Sequence, residues 1–482
     1  RMEALSRCRV SLDNAGVNPK DAAPSESLRR VWEQIDRDLD DHLDRIRGYL
    51  RQPSVSRTSQ GIGSAARATA ALIELAGGDA DVVDTPGHPA VLGRVAGDGP
   101  RLLRYGMYDV QPADEPNWTT PPFGAQVTGI PGVGPAIIAR GAANSKGSLA
   151  AFMLALSSLN KVAELPVDLR FVIEGEEEIG SVHLRQVLEE NADRLHAEAV
   201  FDLDLTADLA GTPDVYLGCK GILSLELTCA GGEWGGPVER ALHSSEGVNV
   251  ASPAWSLVRA LNALVEADEA PALAELRDSS PPAEDEPFIR AIAEALDAQA
   301  YLAEAGAMRY KGPSDPSSIT RRLMYGAAIN LNGIESGYPA GGKTIIPNRA
   351  RAIVDIRMPY GAGFDEVAQA AAAVVARVAP EVQTRVTEIC PPWRSEAASP
   401  VARAMISSHA AIGRPARVWP SAPWWAPYHL FEEVIGIPVV VGGAGHAARA
   451  HAADEYASVT GLREHMRQSV AFLVRFAEDA GG

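Results

Sequence analysis

The chain of 482 residues has only four cysteines, Cys8, Cys219, Cys229 and Cys390, and none forms a close pair of the zinc-binding type. That spacing excludes a disulfide framework and fits a reducing cytoplasm, which is the expected location. No apolar run reaches the roughly 18 residues that cross a bilayer. No basic segment followed by an apolar stretch opens the sequence, so a secretory signal is not expected. Basic side chains are in deficit, 44 against 62 acidic ones, for a formal charge of −18. That balance argues against a nucleic-acid or anionic-membrane surface. There is no internal repeat and no long low-complexity tract. What remains is an ordinary globular composition, 46% hydrophobic and 22% charged, long enough for two domains or more.

Residues 1–26 are rich in Ser, Asn, Pro and Ala and read as a loosely ordered leader. Leu28, Val31, Ile35, Leu39, Leu43, Ile46 and Leu50 then recur every three or four residues, which predicts an amphipathic helix capped by Ser25 or Ser27. "ATAALIELAGG" predicts a second helix stopped by Gly77 and Gly78, followed by the strands "AVLGRV" and "RLLRYGMYD". A proline-rich loop spans 112–135. Helix "KGSLAAFMLALSSL", strand "VDLRFVIEG", helix "SVHLRQVLEENADRL" and strand "AEAVFDLD" come next. Apolar strands alternating with helices predict a parallel sheet covered on both faces, with ligands bound beyond the carboxyl ends of the strands. Asp109, the run Glu176–Glu178 and Asp204 all fall at such ends.

Past Gly221 the texture changes. "ILSLELTCAGG" and "TIIPNRARAIVDIRMP" alternate like half-exposed strands, "PAWSLVRALNALVEA" and "DEVAQAAAAVVARVA" read as helices, and 270–290 is acidic and proline-rich. From about Ser399 the α/β texture returns with "VARAMISSHAAIG", "IPVVVGG" and the closing helix "TGLREHMRQSVAFLVRFAEDA". The fold class expected is an α/β domain with a mainly parallel sheet (27–221 and 396–482), interrupted by an inserted α+β domain (222–395).

"EGEEEIGS" (174–181) holds three acids at the end of an apolar strand. An acidic triplet can be a solvated loop. Held on a sheet, paired carboxylates can divide labour between binding charge and moving protons.

In order and spacing, "YGMYDVQPADEPNWTTPPF", "ARGAANSKGSLAAF", "FVIEGEEEIGS", "FDLDLTADLAGTP", "YPAGGKTIIPNRA", "DIRMP" and "HAADE" resemble the metallopeptidases of family M20, among them carnosine dipeptidases, glutamate carboxypeptidases and aminoacylases. The resemblance covers nearly the whole chain past residue 30. It implies a zinc-binding α/β domain, an inserted lid through which two copies usually dimerise, and two-zinc hydrolysis of an amide. Carried over by position, Glu177 takes the place of the general base and Asp109 that of the carboxylate that orients the site. Glu178, Asp204 and His451 stand at metal-ligand positions.

Two positions depart from the family pattern. Met107 stands where the family has its first histidine ligand, and Asn144 where it has the aspartate that bridges the two zinc ions. Catalytic zinc normally takes three protein ligands. A thioether suits Cu(I) better than Zn²⁺, and a neutral amide cannot bridge two dications as a carboxylate does. The expectation is that no dinuclear centre assembles and no cofactor is bound, with a single zinc on Glu178, His451 and Asn144 as the alternative. His446 and His429 are spare imidazoles, each packed, exposed or substituting. Without metals the acids cannot all ionise cheaply, so at least one carboxyl of the Glu177–Glu178 pair should hold its proton more tightly. Lys146 or Lys220 could supply compensating charge or be structural.

On the substrate side the resemblance assigns Arg357 to the substrate carboxylate. Gly341 and Thr344 belong to its glycine-rich loop, and Asn330 and Ser421 complete the binding set. His243 is implied as a lid histidine that reaches the active site of the partner subunit and helps hold the carbonyl oxygen; the family's following glycine is Ser245 here. Trp419, Trp424 and Trp425 in "WPSAPWW" are either packing residues or an aromatic wall. The partners expected are a small amino-acid-like or peptide-like substrate and a second copy of the chain, with no nucleic acid and no membrane. Three functions stay open: acid/base amide chemistry (hydrolysis, transfer or cyclisation) without metal, a single-zinc dipeptidase or amidohydrolase, and a non-catalytic binding or scaffold protein.

Overall fold

The computed structural model describes residues 23–277, 280–338 and 342–480; most of the expected leader and Gly341 lie outside the described residues. The chain divides into two compact units, 1–218 with 394–420 and 426–482, and 219–393 with 421–425.

The first unit is built on an eight-stranded sheet. Its order is Asp79–Val83, Ala90–Val95, Asp168–Glu174, Arg101–Met107, Ala199–Leu203, Val439–Gly442, Asp214–Tyr216 and Arg417–Trp419. Pairing is parallel through the centre, as the buried apolar runs require. The sheet is mainly parallel, as expected: one edge, Asp79–Val83, Ala90–Val95 and Asp168–Glu174, runs antiparallel, and so does a single pair between Val441 and Tyr216.

Helices Glu26–Leu50 and Val459–Ala480 pack against each other and against helix Lys146–Leu159, which packs on this sheet. Ser25 caps the first through a bond from the Leu28 amide at 3.2 Å. The Lys146–Leu159 helix is buried along nearly all its length, which is why its sequence lacks a polar face. No helix of the described residues is long and apolar enough to cross a membrane.

Two expectations within this unit need correction. The 112–135 stretch is not wholly loop: Gln126–Ile130 and Gly134–Ile138 form a hairpin that joins a second sheet. Its outer strand is largely exposed, so it carries no buried apolar run to announce it. The helix expected over 181–195 is two short helices, Leu184–Glu190 and Ala192–Leu195, because Asn191 turns its amide onto the Val187 carbonyl at the junction.

The second unit has an antiparallel sheet in the order Ala328–Ser336, Arg349–Met358, Gly221–Ala230, Gln383–Cys390. Alternate residues Leu223, Leu225 and Leu227, and Ala350, Ala352, Val354 and Ile356, point into its core. Helices Pro253–Asn262 and Phe364–Val378 cover that face through Leu257, Val367, Ala371 and Val375. The helix expected to run to 267 stops at Asn262.

Candidate functional site

In the first unit, three neighbouring strands end together and deliver the acids. Met107 closes its strand opposite Glu174 and is buried. Two residues on, Asp109 is fully buried; its carboxylate accepts the Glu177 amide at 3.3 Å and the Glu178 amide at 3.0 Å. Asp109 therefore holds the short turn Glu177–Ile179 against the sheet. Burial pushes its own carboxyl up to about 7, with the Glu178 charge adding to the rise.

Glu178 is the centre of a tight contact. Its Oε1 lies 2.8 Å from Asn144 Nδ2 and 3.1 Å from His451 Nε2, and the Asn144 and His451 nitrogens are 2.8 Å apart. Its Oε2 accepts from Gln111 Nε2 at 2.9 Å. The Glu178 bond raises the affinity of His451 for a proton. His451 sits at a positive φ of 61° in a loop where Arg449 and Asp454 share that conformation.

Glu177 is surrounded by like charge. Burial, then the carboxylates of Glu178, Asp109 and Glu174, push it well above the usual carboxylate range. Glu174, fully buried behind it, is pushed up to about 8 by burial and is bonded by the Tyr105 and Ser181 hydroxyls at 2.6 and 2.9 Å. Asp204, just past the Ala199–Leu203 strand, accepts from Ser148 Oγ at 2.8 Å. Burial and the Asp202 charge push it up to about 7, against the opposing pull of Arg104.

Several residues that the sequence singled out have structural partners. Glu176 does not join the acid cluster: its oxygens take the His88 and His183 amides and the His183 ring. His446 is tied at both nitrogens, to the Ala207 carbonyl and the Tyr456 hydroxyl. His429 is buried, which pushes its ring down to about 4. Lys146 Nζ donates to the Gln52 carbonyl at 2.6 Å and lies over the Tyr49 ring, so it faces away from the acids. Trp419 donates to Asp214 at 2.8 Å and lies beside Tyr216.

The residues missed by sequence reasoning are the supports. Glu455, fully buried, accepts the Ala143 and Asn144 amides at 2.9 Å each and pairs with Arg140 at 2.8 Å. It ties the Asn144 loop to the His451 loop. Its place inside "HAADE", and that of Gln111 inside "DVQP", were the available signals.

In the second unit, Arg357 and Asn330 lie on paired strands and meet at Asp355, whose Oδ2 is 3.3 Å from Arg357 Nε and 3.0 Å from Asn330 Nδ2. Lys220 donates to the Arg322 and Gly326 carbonyls at 3.0 and 2.6 Å and so caps the end of helix Pro316–Tyr325. Thr344 Oγ1 is 3.4 Å from His243 Nε2. Ser421 is buried, and its hydroxyl has no hydrogen-bond partner among the described residues. Trp425 donates to the Pro391 carbonyl at 3.1 Å.

The sequence profile of peptidase family M20/M25/M40 matches residues 104–479. The human Beta-Ala-His dipeptidase is 26% identical over 283 residues, 57% of this chain and 53% of its own length. A Cys-Gly metallodipeptidase of Schizosaccharomyces pombe is 28% identical over 356 residues, 69% of this chain and 72% of its own length. The chain thus spans about half the length of the mammalian dipeptidases it matches. Among solved structures, an M20 family metallo-carboxypeptidase from Sulfolobus solfataricus superposes with a TM-score of 0.81 at 29% identity, covering 91% of this chain and 99% of that one. Human carnosine dipeptidase 1 shares the fold, with a TM-score of 0.79 at 22% identity over 94% of this chain and all of that one.

Proposed function

From the premise that the chain belongs to peptidase family M20/M25/M40, we propose that it cleaves the amide bond of a small peptide-like substrate bearing a carboxylate, using its own carboxyls in place of a zinc pair. The observation that carries this reading is the Asn144–Glu178–His451 contact. A neutral amide stands there, bonded to the two side chains that would be ligands of one ion. A second ion would have Asp204, already bonded by the Ser148 hydroxyl, and the Met107 thioether. Zinc sites want about three anionic or imidazole donors each, and this donor set does not fit two such ions. Burial and neighbouring charge make Asp109 and Asp204 hold protons more tightly, which relieves part of the charge that a dication pair would otherwise relieve.

In this reading Glu177, in its ionised form, takes a proton from the attacking water as the water oxygen bonds to the amide carbon, its raised proton affinity making it the stronger base. The same proton then passes to the leaving nitrogen as the C–N bond breaks. Glu178 and Asp109 set the position of Glu177 through its turn, and Arg357 grips the substrate carboxylate with a planar, bidentate guanidinium. Asn330, Thr344 and Ser421 are proposed to line the substrate, and the His243 ring to donate to the carbonyl oxygen. The strand Ala328–Ser336 ends its sheet with Leu331 and Ile334 exposed, and a second copy is proposed to dimerise through that domain. A reducing cytoplasm suits the buried thiols of Cys219, Cys229 and Cys390.

The test is a panel of dipeptides and N-acyl amino acids assayed with chelator-treated protein. Turnover should survive the chelator, and Glu177→Gln should lower it by about 10²–10⁴-fold. Turnover that the chelator abolishes and zinc restores would favour the single-zinc amidohydrolase instead. No turnover across the panel, with binding retained, would favour a non-catalytic role.

A further inference from the structure

His243 ends a two-residue strand, Leu242–His243, that pairs with Ile345–Ile346, and it begins the turn Ser244–Val248. The Ser244 amide bonds to the Thr344 carbonyl at 2.8 Å, so the ring is anchored beside Thr344. The Ser245 amide donates to His243 Nδ1 at 3.2 Å, and the Ser245 hydroxyl lies 3.0 Å from the same nitrogen. The other ring nitrogen, Nε2, faces Thr344 Oγ1 at 3.4 Å.

A backbone N–H can only donate. The nitrogen it meets must offer a lone pair, so the ring hydrogen belongs on Nε2. The hydroxyl can turn its own hydrogen to the same lone pair. A proton on Nδ1 would set two N–H groups against each other and forfeit the amide bond. We propose that Ser245 is a positioning residue that fixes His243 as the Nε2–H tautomer and so makes it a directed donor to a carbonyl oxygen. The part played by the carbonyl rests on the function proposed above; the tautomer does not. In the resting protein Thr344 Oγ1 is the acceptor that the substrate oxygen would replace. The consequence is that Ser245 acts on turnover only through the ring: it touches no reacting atom.

The experiment is ¹⁵N NMR of ring-labelled full-length protein at pH 8, with the His243 signal assigned by its loss in His243→Gln. The Nε2–H form should exceed the Nδ1–H form by about fivefold, the worth of one net hydrogen bond of about 1 kcal/mol. Ser245→Ala keeps the amide but loses the hydroxyl. It should lower that ratio severalfold and lower kcat by a similar factor at unchanged KM, while Ser245→Thr should restore both. A predominant Nδ1–H form in the unmodified protein overturns the proposal. So does a kcat loss in Ser245→Ala with no change in the tautomer ratio, which would mark a merely structural serine. The expected tautomer together with unchanged turnover in His243→Gln upholds the positioning and overturns only the role given to His243.

Discussion

Glu455→Gln is the substitution whose cost can be worked out most directly. Glu455 and Arg140 are both almost completely buried and are 2.8 Å apart. One Glu455 oxygen serves Arg140 and the other serves the Ala143 and Asn144 amides. An amide at 455 can satisfy one of these duties with its oxygen, and its NH₂ must then face a donor. Removing one member of a buried ion pair costs about 3–5 kcal/mol, mostly from the charge left behind. Arg140 keeps Glu115 at 2.5 Å, the Pro112 carbonyl at 3.0 Å and the Trp118 ring, so the loss belongs at the lower end, about 3 kcal/mol. With a urea slope of about 3 kcal/mol/M the unfolding midpoint should fall by about 1 M. Equilibrium unfolding followed by tryptophan fluorescence checks this. A second variant, Arg140→Met with Glu455→Leu, removes both charges and should be more stable than Glu455→Gln alone. A midpoint within about 0.3 M of the unmodified protein for Glu455→Gln, or simple additivity in the double variant, would refute the reasoning.

Two more expectations follow from the buried groups. His409 and His465 are fully buried, and burial pushes their rings down to about 3 and about 4. Folded pKa values lie below the ordinary 6.5, so their stabilisation is complete above pH 6.5 and drains as pH falls toward 4. His409→Leu should therefore flatten the acid loss by about 1.4 kcal/mol per pH unit over that window, read as urea midpoints at pH 7.5, 6 and 5; parallel curves would contradict it. Met107→His with Asn144→Asp restores an imidazole and a carboxylate, so that variant should hold about two zinc ions per chain by elemental analysis; failure to gain metal would mean that more than donor atoms separates this site from a zinc pair.

The parts of the site legible in the sequence are those whose position follows from burial. Asp109, Glu178 and Asp204 each come shortly after an apolar strand, and the carboxyl ends of such strands are where a sheet of this kind gathers its functional groups. The supports were hidden for the converse reason. Glu455 and Ser148 act across a separation of 312 and 56 residues, and no local pattern marks such a bond. Glu176 looked like a third member of the acid group because adjacent residues share a strand end. On the folded chain it points to His88 and His183 instead. The edge strand Asp79–Val83 and the outer hairpin strand Gln126–Ile130 escaped because exposed strands need no apolar periodicity.

The most direct measurement is the zinc content of the unmodified protein after dialysis against micromolar Zn²⁺, read by elemental mass spectrometry per mole of chain. The amide at Asn144 and the thioether at Met107 lead to fewer than one ion held. Two ions retained per chain would contradict the account.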